Sequence, residues 1–191
     1  MAFEKDLIER LHKLEFSRSE RDEFYLGSYP QFLEFFRDRI AVDSVTESDA
    51  KIGAILAYSW MGQGKLKIAS LENFGSAVNA LLKAKSEKID VTELQNIVNF
   101  VSGSLVGTSK YLHFLNPQCF AIWDSRVAWA GYRLKYNYQV EKPKYYIQYL
   151  EDLAELELPE KLSNIITARM PQATQMRIKE FALFQLGLQE N

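Results

Sequence analysis

Apolar residues in this chain return at every third or fourth position over most of its length, a spacing that leaves little room for strands. Phe3, Leu7, Leu11 and Leu14 form a first stripe with acids and bases between them. Tyr29-Pro30 marks the start of a second helix, with Phe32, Phe35, Phe36 and Ile40 on its buried face. Proline fits a first turn because its missing N–H has no partner there. Ser48 and Asp49 are placed to cap a third helix through Ile52, Ile55, Leu56 and Tyr58 to Trp60. Met61-Gly62-Gln63-Gly64 breaks the pattern, and 65–70 reads as a connector. Helices are then expected over 71–85, with Phe74, Val78, Leu81 and Leu82 inward, and from Thr92, with Leu94, Ile97, Val98 and Val101 inward.

Gly103 and Gly107 frame a turn, followed by a short helix over 108–115 that Asn116-Pro117 must end. Residues 120–123 read as extended or looped, and Asp124 opens a helix through Val127, Ala128, Gly131 and Leu134. Three more helices are expected over 143–155, 159–170 and 173–188, the last fraying at Gly187. Lys65–Ala69 and Gln118–Trp123 are the only weak strand candidates, and no repeat or low-complexity linker appears. The expectation is a compact all-α domain of about nine or ten helices. It covers 1–191 either as one unit or as two helical lobes with a cleft near 105–127.

Composition narrows the function classes. Cys119 is the only cysteine, which excludes an internal disulfide and points to a reducing, intracellular, cytoplasmic setting. With only His12 and His113 beside it, no metal centre of nitrogen and sulfur ligands is expected. No apolar run reaches the roughly 18 residues of a membrane span. The charged start MAFEKDLIERLHK is unlike a secretory leader. Charge is unevenly spread. Residues 101–144 carry Lys110, Arg126, Arg133, Lys135, Lys142 and Lys144 against Asp124 and Glu141, a net +4, so the remaining residues sum to −6. A basic, aromatic-rich segment on an acidic body suits a polyanion-binding face, or equally a solvated helix surface. The oligomeric state is left open.

Residues 105–127, LVGTSKYLHFLNPQCFAIWDSRV, hold the candidate chemistry. A lysine is a nucleophile only as the neutral amine, a minor form in water, where its pKa is about 10.4. Burial disfavours the ammonium, and so does the positive end of a helix in its first turn. Lys110 is expected there, just after Gly107-Thr108-Ser109, where it could form a Schiff base with a sugar C1′. Asp124 would stabilise a cation-like sugar or align the attacking group, or it is an ordinary helix cap. Lys110 is equally read as a surface lysine. His113 is a base, a phosphate contact or a satisfied helix histidine. Trp123 and Trp129 stack on bases or fill the core.

At these residues the chain resembles the helix-hairpin-helix DNA glycosylase superfamily. Leu105-Val106-Gly107-Thr108-Ser109-Lys110 is similar to the end of that family's glycine hairpin with its lysine in place, and Ile122-Trp123-Asp124-Ser125-Arg126-Val127 to the segment carrying its aspartate. The resemblance implies a glycosylase with lyase activity, Lys110 as nucleophile and Asp124 as its carboxylate. It also implies DNA as partner, with contacts from Gly107, Ser109, His113, Trp123, Arg126, Arg133 and Lys135. There is no cysteine cluster for an iron–sulfur centre, and no cofactor is expected. The alternative is a non-catalytic nucleic-acid-binding or protein-interaction module on the same fold.

Overall fold

A computed structural model describes residues 2–16, 20–40, 46–60 and 74–190, and every regular element among them is helical. The helices are α1 (Leu7–His12), α2 (Glu20–Phe35), continued by a π-helical turn (Phe36–Ile40), α3 (Glu47–Ser59), α4 (Phe74–Ala84), α5 (Val91–Phe100) and α6 (Leu105–Leu115). After them come α7 (Ser125–Tyr132), α8 (Asn137–Val140), α9 (Pro143–Glu155), α10 (Glu160–Arg169) and α11 (Gln175–Gln189). The single turn α8 has no counterpart among the helices expected from periodicity. The break at Met61–Gly64, the connector and strand candidate that follow it, residues 71–73 and the side chain of Ile40 lie outside the described residues. Among the described residues no helix is long and apolar enough to cross a membrane.

Local rules account for most boundaries. Asp90 and Glu93 form a capping box that starts α5, whose Leu94, Ile97 and Val98 are buried as expected. Pro143 opens α9, where its missing N–H costs nothing. Elsewhere packing overrides the local signal. Pro30 lies inside α2 rather than at its start. An interior proline costs a helix about 3 kcal/mol or more. Rings on either side of it offset that cost: Tyr29, Phe32 and Phe36 pack with Trp60 and Phe114 in one aromatic cluster. Phe35 turns away to solvent.

In α3 the cap is Thr46, boxed with Asp49, and the buried face is Ala50, Gly53, Ala54 and Ala57. Ile52 and Ile55 are exposed. The small face is needed because the Tyr111 ring lies on it: a Cβ on Gly53 would stand 2.8 Å from that ring.

Two sets of helices share one core. Helices α2 to α6 pack on one another, and α1, α7, α9 and α10 surround α11, with α5 touching α9 across the divide. Both α6 and α11 are buried on nearly every side, and that is what lets charged groups on them face inward. Gly187 is no frayed end. It is buried in α11, where a Cβ would collide with the Arg126 carbonyl oxygen, so glycine permits the close approach of α7.

Candidate functional site

Helix α6 begins earlier than its glycines suggest. Ser104 caps it by accepting the Gly107 N–H (3.1 Å), and the Glu141 carboxylate accepts the Leu105 N–H (2.5 Å). The turn before it is 101–104, with Ser102 and Gly103 in the left-handed region (φ 57° and 72°). Gly107 and Ser109 are therefore buried inside a helix and do not form a hairpin open to phosphate. A Cβ on Gly107 would collide with the Tyr58 ring. Lys110 falls in the second turn of α6, beyond the turn where the helix dipole acts most strongly.

Ser109 has a different task. Its hydroxyl accepts the Trp123 N–H (3.0 Å) and donates to Val106 O (2.8 Å). This clamp joins the residue before Lys110 to the residue before Asp124. The loop between them is buried yet has no ladder to pair with, so side chains take its carbonyls one after another. Phe120 O accepts from His113 Nδ1 (2.7 Å), Ala121 O from Tyr146 Oη (2.9 Å) and Ile122 O from Tyr149 Oη (3.1 Å). Asp124 then caps α7, its Oδ1 accepting both the Arg126 and Val127 N–H at 2.9 Å. A loop held at each residue positions a carboxylate as firmly as a helix would.

Lys110 and Asp124 line one partly enclosed cavity of about 70 Å³. Arg126 joins them there, its guanidinium over the Phe184 ring at 5.3 Å. Helix α11 supplies the facing wall with Arg177, Glu180 and Phe181, and Tyr25 and Trp60 close it from α2 and the end of α3. The Lys110 amine stands over the Trp60 ring at 5.7 Å, and the Arg177 guanidinium over the same ring at 5.9 Å.

Arg177 and Glu180 are ion-paired and buried, at 5% and 1% exposure of their side chains. Burial pushes the Glu180 carboxyl up to about 7. Arg177 opposes that shift, the Asp124 carboxylate adds to it, and Lys110 opposes it more weakly. Arg177, Asp124 and Lys110 therefore all act on the Glu180 carboxyl. Arg177 Nε is buried with no acceptor among the described residues.

The other expected contacts separate by burial. His113 is fully buried, between Phe120 O and Tyr29 Oη (2.8 Å to Nε2), and burial lowers its pKa to about 3. With a carbonyl at Nδ1, the proton sits there and Nε2 accepts from tyrosine. It is a neutral core residue and out of reach of a phosphate. Trp123 is likewise fully buried, its indole N–H donating to Val140 O (2.8 Å) and its ring on Tyr149. It cannot stack on a base. Arg133 pairs with Glu190 (2.5 Å) and lies over Trp129, which Lys135 also covers. Both cations are away from the cavity lining.

No protein-family model matches this chain, no curated protein matches it, and no solved structure matches its fold. The α11 contribution is absent from the residues that sequence reasoning selects. Arg177, Glu180, Phe181 and Phe184 share one face of α11, but Lys179 and Gln185 on its other faces leave no clean apolar stripe to set them apart.

Proposed function

We propose that this protein is a base-excision glycosylase with lyase activity, acting through Lys110. The observation that carries the reading is that Lys110 and Asp124 open into the same aromatic-walled cavity. At about 70 Å³ the cavity is well below the roughly 300–1,000 Å³ of ordinary ligand pockets. It suits the reacting edge of a sugar, with the base held against the aromatic rim.

In the proposed reaction the neutral Lys110 amine bonds to C1′ as the glycosidic C–N bond breaks with its electron pair going to the base. The two amine protons pass to the departing base and to O4′ as the ring opens, leaving the imine. Asp124 faces the positive charge that develops on the sugar, and the Arg177 guanidinium, in the cavity wall, donates to the departing base. Glu180 acts through Arg177 by fixing its guanidinium.

A second reading, nucleic-acid binding without chemistry, is favoured by one contact: the Lys110 amine rests over the Trp60 face as a cation does. Borohydride trapping on oligonucleotides with an abasic site or an oxidised purine separates the two. A covalent adduct that disappears in Lys110→Ala supports the lyase. Absence of any adduct, abasic substrate included, removes the lyase mechanism and leaves a monofunctional glycosylase or binding alone.

A further inference from the structure

A second surface, outside the cavity, combines exposed rings with cations. Tyr136 and Tyr138, at the start of α8, are 60% and 64% exposed, among the most exposed large side chains described. Their rings are nevertheless stacked on each other, with centroids 5.6 Å apart and planes 16° from parallel. Lys142 lies 5.5 Å from both the Tyr138 and Tyr145 rings, and Lys144 lies 5.5 Å from Tyr145. On the other flank Lys135 lies over Trp129.

Charge on this stretch is one-sided. Residues 129–145 hold four cations and a single carboxylate, Glu141. That carboxylate is engaged with the Leu105 N–H at the head of α6, the helix that carries Lys110. Two flat, exposed rings flanked by lysines match an unpaired nucleic-acid strand. Each base offers a face to stack and each phosphate a charge to pair, with little need for a particular sequence. A duplex keeps its base faces inside the stack, and an anionic membrane offers charge but no rings.

We propose that Tyr136 and Tyr138 form a stacking platform for the bases of an unpaired strand, with Lys135, Lys142 and Lys144 holding its phosphates. The platform is independent of whether Lys110 performs chemistry. It would seat an unpaired segment beside α6, and it also serves the binding-only reading.

The test is fluorescence anisotropy with a labelled oligothymidylate, a matched duplex, and vesicles of mixed neutral and anionic lipid. The wild-type protein is expected to bind the single strand in preference to the duplex. Tyr136→Ala/Tyr138→Ala should weaken binding about ten-fold or more, whereas Tyr136→Phe/Tyr138→Phe should retain it, because phenylalanine stacks equally well. Lys142→Ala/Lys144→Ala should flatten the salt dependence by roughly 1.4 in log–log slope, at about 0.7 for each single-strand phosphate that is no longer neutralised. No binding of the oligothymidylate, equal binding by the double alanine variant, or binding of anionic vesicles only would each overturn the proposal. Binding without any borohydride adduct removes the lyase and keeps the platform, and an adduct formed without single-strand binding does the reverse.

Discussion

Helix α11 carries charge clusters at two places roughly three turns apart, and they differ in how deeply they are buried. At the outer one, just past its last turn, Glu190 receives Arg10 (3.1 Å) and Arg133 (2.5 Å), with side chains 12–32% exposed. Arg10 also donates to Ala130 O (2.6 Å), so this cluster ties α1, α7 and α11 together at the surface. At the inner one Arg177 and Glu180 have almost no exposure and face the cavity. A half-exposed cluster gives a little stability and asks little desolvation. A buried pair pays for two lost hydration shells, and well-packed apolar residues in its place are often neutral or better. The outer cluster is explained by the fold. The inner one gains little from packing alone, and it lines the same cavity as Lys110 and Asp124.

The sharpest way to break this contrast is to treat the inner pair as structural. Glu180→Ala leaves a buried guanidinium without its carboxylate and should cost roughly 3–5 kcal/mol. Arg177→Met/Glu180→Leu removes both charges and should recover most of that loss in denaturant midpoints. If the double variant stays as unstable as the single one, the pair holds the fold and the contrast fails.

How much of this is legible in the sequence follows from the range of the forces involved. Asp124 as the cap of α7 depends on the next three residues only, and it is found there with both backbone bonds made. The inward face of α5 depends on periodicity alone and is also found. The turn before Lys110 lies earlier than its glycines place it. Ser104 is the cap, and Gly107 is small for the sake of the Tyr58 ring, a residue far away in sequence. Ile52 and Ile55 point outward for the same reason, since a distant Tyr111 claims the alanine face of α3. Of the cavity, Lys110, Asp124 and Arg126 belong to one segment and can be grouped from sequence. Trp60, Arg177 and Glu180 arrive through helix packing, which no local pattern encodes. The carbonyl-holding Tyr146 and Tyr149 are invisible on the same ground.

A second test uses pH. His113 is neutral in the fold, with its pKa lowered from 6.5 to about 3, so the unfolded chain takes up the proton first. Stability from this residue is fully present above pH 6.5 and falls as pH drops toward 3, by about 1.4 kcal/mol per unit. Glu180 runs the other way. Its pKa is raised from 4.5 to about 7, so its contribution is fully present below 4.5 and is lost as pH rises through 7. Between 4.5 and 6.5 the two slopes oppose each other, and the wild-type protein should be nearly flat in stability across that window. Glu180→Gln removes one of them. Stability of that variant should climb with pH over the same window at about 1.4 kcal/mol per unit. A flat profile in Glu180→Gln would mean that the inner carboxyl does not carry the shift its burial demands.

The smallest effect belongs to the outer cluster. Glu190→Ala should cost about 1 kcal/mol or less, because its partners are partly solvated and Arg10 keeps its bond to Ala130 O. That loss should shrink further in high salt, since screening acts on exposed charges first. The inner pair, shielded from mobile ions, should show no comparable salt dependence when Glu180→Ala is measured alongside. Chemical denaturation of both variants at low and high salt compares them directly. A Glu190→Ala loss as large as that of Glu180→Ala, and equally indifferent to salt, would place the two clusters in one class. Burial would then no longer distinguish the charges on the cavity wall from the other charges of α11.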